Sequence, residues 1–158
     1  SCMRHGKPVL GVNLGRMGFL ATCEVAELPT KLQRLAAEEF TLVNRGLLHA
    51  EVPAHSWRAD AINDIVLFGQ TRLHPMDYKV YCDGAFVGSY RSDGMILATP
   101  TGSTAYSFSA GGPILDVSAD VMVLTPVCAH NVYVAPLVFA ASRRLEIIAD
   151  AENRDAYS

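Results

Sequence analysis

Residues 79–87 read KVYCDGAFV, which places an Asp-Gly pair between two apolar runs. Asp83 and Gly84 tolerate the positive φ angles that a two-residue hairpin turn requires, and the residues on either side are typical of β-strands. The stretch therefore predicts a β-hairpin that turns at Asp83 and Gly84.

Short strand-like segments continue outward from this hairpin in both directions. Apolar and β-branched runs bounded by turn residues predict strands over residues 41–43, 46–52, 61–68, 78–82, 85–90, 95–99, 121–125, 137–139 and 145–149. Residues 111–118 fit either a loop or a short helix. Most of the chain is therefore predicted to be sheet, which makes the fold class mainly β (α+β).

A strand, a loop and a helix are predicted ahead of this sheet. Residues 9–12 form a short apolar run that leads into a loop with two glycines three residues apart. Leu28, Leu32 and Leu35 then recur at helical spacing, and Pro29 fits the first helical turn because the N–H that it lacks would not be used there. We therefore expect one amphipathic helix.

The composition is that of a folded protein with one sizeable core. The chain has 158 residues, of which 50% are hydrophobic and 18% are charged, and these proportions fit globular proteins better than disordered ones. The formal net charge of -3 leaves no basic face for a phosphate backbone, which argues against nucleic acid as a partner.

Cysteine and histidine spacing gives no sign of a metal site or a disulfide framework. The four cysteines include no Cys-x-x-Cys pair, and the five histidines show no ligand spacing. No apolar run approaches the ~20 residues that span a bilayer, and residues 1–7 lack the apolar stretch of a signal peptide. We therefore expect a soluble protein of the reducing cytoplasm with no membrane partner.

A hydroxyl-rich stretch follows the strand predicted at 95–99. Residues 99–107 read TPTGSTAYS. Their backbone N–H groups and small hydroxyls could bind a phosphate or a nucleotide, and they could equally form a turn capped by its own side chains. Polar or glycine-rich loops at 91–94 and 110–113 flank this stretch, as expected when a site is assembled at one edge of a sheet.

Three more polar residues are candidates for a site. Asn63 and Asp64 interrupt the apolar run at 61–68, where buried polar groups need partners. Taken alone, such a pair more often marks a bulge or a strand start than a ligand site. Asp93 precedes Gly94, and aspartate before glycine more often forms a turn than acts in catalysis.

Taken in this order, the segments resemble the NAD kinase family. Residues 11–20, GVNLGRMGFL, are similar to the family's Gly-x-Asn-x-Gly-x-x-Gly-Phe-Leu segment. The later matching segments are Asn63-Asp64, Ser92-Asp93-Gly94, the signature from Thr99 to Ser109, residues 110–114 (AGGPI), and Leu124-Thr125-Pro126 with His130. The similarity covers residues 8–150, and the threonine- and glycine-rich signature is highly specific. A related lipid-kinase superfamily shares only a looser version of it.

The resemblance implies a reaction, which is transfer of the terminal phosphoryl group of ATP, or of polyphosphate, to the adenosine ribose 2′-hydroxyl of NAD, giving NADP. A divalent metal, usually Mg2+, would accompany the phosphoryl donor because developing negative charge must be neutralised. The family forms dimers and tetramers, so the resemblance also implies a homo-oligomer.

By position, the resemblance implies a set of contacts to the dinucleotide. Asn63 and Asp64 would hydrogen-bond ribose hydroxyls, and Tyr106 would line the ribose. Thr104 and Ala105 would read the adenine edge. The remaining implied residues are Asp93 and Ser109, which would complete the NAD pocket by way of a neighbouring subunit, and Phe19, which would pack beside the dinucleotide.

The chain departs from the family pattern in three places. The family's Gly-Gly-Asp-Gly segment holds the donor phosphates and supplies the presumed catalytic aspartate; it does not occur in the 158 residues, so no catalytic residue is assigned. Asp64 replaces the family's usual glutamate, which shortens the side chain by one methylene. Ala135 stands where many members have arginine, and the chain stops before the family's last strands.

Two hypotheses remain open. In the first, the chain is the NAD-binding part of an NAD kinase and is inactive in isolation. In the second, it is a non-catalytic NAD-binding or oligomerisation module derived from that family. A lipid-kinase-like domain is a weaker third alternative, against which the acidic composition argues. The resemblance implies a β-sandwich domain over residues 39–158, truncated at its carboxyl end, and a strand and helix left from an α/β nucleotide domain over residues 1–38.

Overall fold

The computed structural model describes residues 6–15, 21, 23–69, 75–130 and 134–150. The chain divides into two compact units, Ser1–Asn44 and Arg45–Ser158. In the described residues the first unit contains two short strands and a helix, and the second is built mainly of strands.

The predicted amphipathic helix is present in the first unit. Its elements are β1 (Val12–Asn13), β2 (Cys23–Glu24), which pairs in parallel with β1, and α1 (Leu28–Ala36). Pro29 lies in the first turn of α1, and a reciprocal capping box between Glu24 and Glu27 closes the 3-10 turn ahead of it. Of the strand predicted at 9–12, only Val12 is in a strand.

The strand predicted over residues 41–43 is wrong. These residues belong to no ladder among the described strands, and their side chains are exposed. Apolar and β-branched residues favour a strand only where a partner edge and a packing surface are available.

Nine strands and one short α-helix form the second unit in its described residues. They are β3 (Leu48–Val52), β4 (Trp57–Ala61), β5 (Asp64–Phe68), β6 (Met76–Cys82), β7 (Ala85–Ser92), β8 (Gly94–Ala98), α2 (Tyr106–Ser109), β9 (Val121–Val127), β10 (Leu137–Ala140) and β11 (Leu145–Asp150). Seven predicted strands correspond to β3 and to β6 through β11. Residues 111–118 form a loop with turns.

Two antiparallel sheets pack face to face in this unit. The first has the order β10-β9-β8-β5 and the second the order β11-β6-β7. Tyr78 and Val80 of the second sheet form a buried cluster with Met95 and Leu124 of the first. This apolar layer between the sheets confirms the predicted fold class, a mainly β chain with a sandwich domain.

The β6–β7 hairpin turns where the sequence predicts. Asp83 and Gly84 have φ angles of 49° and 83°, and Cys82 pairs with Ala85 across the turn. Both positive φ values lie in the region that Asp and Gly tolerate better than most residues.

The single strand predicted over residues 61–68 is wrong, because the chain changes sheets there. β4 pairs with β3, whereas β5 pairs with β8 of the first large sheet. The carbonyl groups of Ile62 and Asn63 instead accept hydrogen bonds from Thr99. The two polar residues that looked anomalous in an apolar run thus mark a chain crossing and the start of β5.

A second apolar layer covers the opposite face of the first large sheet. Ile96, Ala98 and Val123 are buried there against Ala110 and Leu115, which follow α2. This layer attaches the hydroxyl-rich stretch to the sheet. Neither α-helix of the described residues has the length and apolar character needed to cross a membrane.

Candidate functional site

The hydroxyl-rich stretch is fastened to the chain crossing by a set of short contacts. The Thr99 backbone N–H donates to the Asn63 carbonyl at 2.8 Å. The Thr99 hydroxyl donates to the Ile62 carbonyl at 2.6 Å and accepts from the Gly102 N–H at 3.0 Å. We call these four residues (Ile62, Asn63, Thr99 and Gly102) the clamp. The clamp holds the start of β5 against the segment that follows β8.

Gly102 is required in the clamp because backbone occupies the space where a side chain would begin. A Cβ at this position would lie 2.0 Å from the Asn63 carbonyl oxygen and 2.3 Å from its carbonyl carbon. Real Cβ atoms do not approach backbone so closely, so the absence of a side chain allows the two segments to meet.

Several hydroxyls of the stretch hold the fold together. The Ser103 hydroxyl donates to the Pro100 carbonyl at 2.7 Å and accepts from the Leu115 N–H at 3.0 Å. The hydroxyls of Ser107 and Thr125 lie 2.9 Å apart in a fully buried pair. For these side chains the interpretation as a self-capped turn applies, because buried hydroxyls that already have partners are not free for a ligand.

The clamp and the buried hydroxyls support a surface that is formed by residues 104–106 and 109. Thr104 and Ala105 are half-buried, whereas Tyr106 remains 42% exposed. Ser109 is exposed one helical turn after Ala105, to whose carbonyl its N–H donates at 3.4 Å. The structure thus brings Thr104, Ala105 and Tyr106 next to the clamp, with Ser109 farther along α2.

Asn63 carries an unsatisfied polar atom that is buried beside this surface. Its side-chain oxygen Oδ1 is buried and accepts no hydrogen bond from the residues that the structure describes. Buried polar atoms in folded proteins almost always have a partner, so an orphaned acceptor marks a place where a donor from outside the chain would be stabilised.

Asp64 lies beside Asn63 and close to the first residue of α2. The backbone N–H of Tyr106 lies close enough to the Asp64 carboxylate to lower the pKa of that carboxyl. Burial raises the pKa of the Asp64 carboxyl above its ordinary value, and the nearby Tyr106 N–H opposes only part of this effect. Asp64 therefore gives the site an acceptor whose ionised form is destabilised by burial.

Asp64→Asn is expected to raise the stability of the fold at neutral pH. Because the folded-state pKa of Asp64 is raised, its ionised form opposes folding, and stability falls as the pH rises through that pKa. Asparagine has no charge to bury and keeps a side-chain oxygen at this position. Urea denaturation at several pH values should show a higher free energy of unfolding for the variant at pH 7. The difference should vanish below about pH 4, where the carboxyl is protonated in the unfolded chain as well.

Asp120→Asn is the matched control, since it makes the same change at an exposed position. It should leave the urea midpoint nearly unchanged at every pH. A variant at position 64 that is less stable than the unsubstituted chain at pH 7 would contradict the expected sign.

Asp93 lies at the other end of the same strands. The β5–β8 ladder pairs Asp64 with Ala98 and Phe68 with Gly94, so Asp93, five residues before Ala98, is about 17 Å along the strands from Asp64. Its carboxylate is 3.8 Å from the Nε2 atom of His130. Within one chain, the strands therefore do not bring Asp93 to the clamp. Phe19 lies outside the described residues.

Sequence reasoning missed one aromatic residue at this site, Phe68. Its ring centroid lies 6.2 Å from that of Tyr106, with the ring planes tilted by 34°. Phe68 ends an apolar strand, and no local pattern distinguishes it from a core residue. No group of three His, Cys, Asp or Glu side chains among the described residues is placed to hold a metal ion.

Comparison with known proteins gives consistent results. Residues 62–157 match the family model of the ATP-NAD kinase C-terminal domain. The chain is 40% identical over 148 residues to the NAD kinases of Pseudomonas entomophila (strain L48) and Pseudomonas putida (strain GB-1), covering 92% of this chain and 50% of each relative. It therefore spans about half the length of the curated relatives that it matches.

Two solved structures share the fold. Yeast NADH kinase complexed with NADH has a TM-score of 0.84 and 32% identity, and the match covers 91% of this chain and 43% of that chain. An NAD kinase from Archaeoglobus fulgidus in complex with ATP has a TM-score of 0.80 and 28% identity, with coverage of 90% and 56%.

Proposed function

Because the chain belongs to the NAD kinase family, through its carboxyl-terminal domain, we propose that it supplies the NAD-binding part of an enzyme that phosphorylates NAD. The reaction would transfer the terminal phosphoryl group of ATP, or of polyphosphate, to the 2′-hydroxyl of the adenosine ribose, giving NADP. The family match and the geometry of the clamp support this proposal.

The observation that carries the proposal is the buried, unsatisfied Oδ1 atom of Asn63. A ribose offers hydroxyl donors at the spacing of neighbouring carbons, and Asn63 and Asp64 are adjacent acceptors at the start of β5. A ribose hydroxyl that donates to Asn63 would remove the penalty of the orphaned oxygen. Asp64 would accept from a second hydroxyl, although its side chain is one methylene shorter than glutamate.

The surface next to the clamp would hold the rest of the adenosine. In this proposal Thr104 and Ala105 contact the adenine edge, and the exposed ring of Tyr106 packs against the ribose. Ser109 and Asp93 would complete the pocket. Since the strands of one chain separate Asp93 from Asp64, Asp93 would come from a neighbouring subunit, and we propose a homo-oligomer, a dimer or a tetramer. Phe19 would pack beside the dinucleotide.

The phosphoryl donor would bring the remaining chemistry. Mg2+ bound to ATP or polyphosphate would neutralise charge that develops during transfer. The described residues include no cluster suited to hold that ion, and we assign no step to it. The 158 residues contain no Gly-Gly-Asp-Gly sequence, so by themselves they would bind NAD without phosphorylating it.

We further propose that the protein is cytoplasmic and that a domain boundary lies between residues 38 and 39. The residues before this boundary would belong to the α/β nucleotide domain, and those after it to the NAD-binding domain. A non-catalytic module that only binds NAD would use the same clamp, so the binding test below applies to both hypotheses. Formation of NADP from NAD and ATP would distinguish the enzyme from the binding module.

Asn63→Ala is expected to weaken NAD binding about tenfold. The substitution removes the carboxamide that would pair with a ribose hydroxyl, and the loss of one buried hydrogen bond of this kind corresponds to roughly 1–2 kcal/mol. Isothermal titration calorimetry of the unsubstituted and substituted chains with NAD, and separately with NADP, measures the change.

Asn44→Ala serves as the control, because Asn44 is exposed in the other unit and the same truncation there should not alter affinity. The proposal would be overturned if the folded, unsubstituted chain bound neither dinucleotide, or if both alanine variants bound as tightly as it does.

A further inference from the structure

Phe68 lies beside one of the proposed dinucleotide contacts, Tyr106, without being a proposed contact itself. It is the last residue of β5 and pairs with Gly94, the residue after Asp93. A Cβ on Gly94 would lie 2.6 Å from the Phe68 Cδ1 atom, so the ring lies over the glycine. The missing side chain at position 94 thus makes room for this ring.

The same ring also contacts Tyr106. The two centroids are 6.2 Å apart, within the range over which aromatic pairs attract each other. The Tyr106 backbone N–H lies near the Asp64 carboxylate at the first position of β5. One strand therefore approaches Tyr106 at two points, its backbone near Asp64 and its ring near Phe68.

Tyr106 has a ring that is only partly buried, so its neighbours decide how the ring is oriented. It begins the short helix α2 and is 42% exposed. A half-exposed ring is free to change rotamer unless a neighbour restricts it, and each rotamer presents a different surface to a ligand. The contact with Phe68 selects one of these surfaces.

We infer that Phe68 is a positioning residue of the dinucleotide site, whose ring sets the orientation of Tyr106 for packing against the ribose of NAD. The inference rests on the proposed function, in which Tyr106 lines the ribose. Phe68 itself has no contact with the ligand in this arrangement. Its effect on binding passes through Tyr106.

Phe68→Leu is the first test, since leucine keeps an apolar side chain of similar size and removes the aromatic ring. Loss of one aromatic pair should weaken NAD binding roughly two- to tenfold, and Phe68→Tyr should restore it. Phe86→Leu is the matched control, because Phe86 forms another Phe–Tyr pair, with Tyr81 at 5.5 Å, on the second sheet. It should leave the dissociation constant unchanged.

A double-mutant cycle with Tyr106→Leu separates positioning from a general loss of stability. If Phe68 acts through Tyr106, the double variant should bind no more weakly than Tyr106→Leu alone. Additive losses, or equal losses in Phe68→Leu and Phe86→Leu, would overturn the inference while leaving NAD binding by the unsubstituted chain, and hence the proposed function, intact.

A ligand-free measurement completes the test. The ring resonances of Tyr106, assigned in a tyrosine-labelled sample by comparison with Tyr106→Leu, should shift in Phe68→Leu and stay in place in Phe86→Leu. Unchanged Tyr106 resonances would overturn the contact directly. Failure of the unsubstituted chain to bind NAD or NADP would instead remove the proposed function, and the role of Phe68 with it.

Discussion

Gly102→Ala is expected to lower the free energy of unfolding by about 3 kcal/mol and to abolish the binding of NAD beside the clamp. The new Cβ would lie 2.0 Å from the Asn63 carbonyl oxygen, and the obstacle is backbone, which cannot rotate away as a side chain can. Overpacking of this kind typically costs 1–3 kcal/mol or more. Urea denaturation of the purified variant would measure the loss, and calorimetric titration with NAD would measure binding.

Gly46→Ala is the control for this substitution. A Cβ at position 46 meets nothing within 4 Å, so the same added methyl group should change the urea midpoint little. If Gly102→Ala were as stable as Gly46→Ala, residues 63 and 102 would not approach so closely in solution. The clamp as described would then be wrong.

The elements that sequence predicts well are those whose signal is local. The turn at Asp83 and Gly84 is specified by two adjacent residues that tolerate positive φ. The helix α1 is specified by apolar spacing and by Pro29 in its first turn. Such elements can be predicted because the physical cause lies within a few residues of the effect.

The break between β4 and β5 shows why other elements could not be predicted. Residues 61–68 form one apolar run with two polar residues in it, and a local interpretation extends a single strand through them. The partner that ends β4 and starts β5 is Thr99, whose hydroxyl is bound to a carbonyl 37 residues earlier in the chain. Contacts between residues so distant leave no periodic signal in the sequence.

The site shows the same limit. The sequence singled out the hydroxyl-rich stretch correctly as a special segment, but it left open whether its hydroxyls bind a ligand or cap a turn. The structure assigns Thr99, Ser103 and Ser107 to the scaffold and leaves the surface of Thr104, Ala105 and Tyr106 beside an unsatisfied Asn63. The glycine after Asp93 likewise acts by admitting the ring of Phe68, a role that no pattern in the sequence predicts.

Thr99→Val is expected to cost roughly 2–4 kcal/mol, because it deletes one hydroxyl that serves two backbone groups. The side chain keeps its shape, but the Ile62 carbonyl loses its donor at 2.6 Å and the Gly102 N–H loses its acceptor at 3.0 Å. Each polar group left buried without a partner costs about 1–3 kcal/mol. Urea denaturation would measure the effect on stability, and titration with NAD the accompanying loss of affinity.

Thr99→Ser provides the contrast on which this prediction depends. Serine retains the hydroxyl and loses only a methyl group, so it should keep most of the stability and nearly all of the affinity for NAD. If serine and valine were equally damaging, packing of the methyl group would explain the effect of Thr99 and its hydrogen bonds would not. If valine lowered stability without changing the affinity of the folded fraction, the clamp would support the fold but would not shape the surface at Asn63, and the proposed dinucleotide site would have to lie elsewhere on this domain.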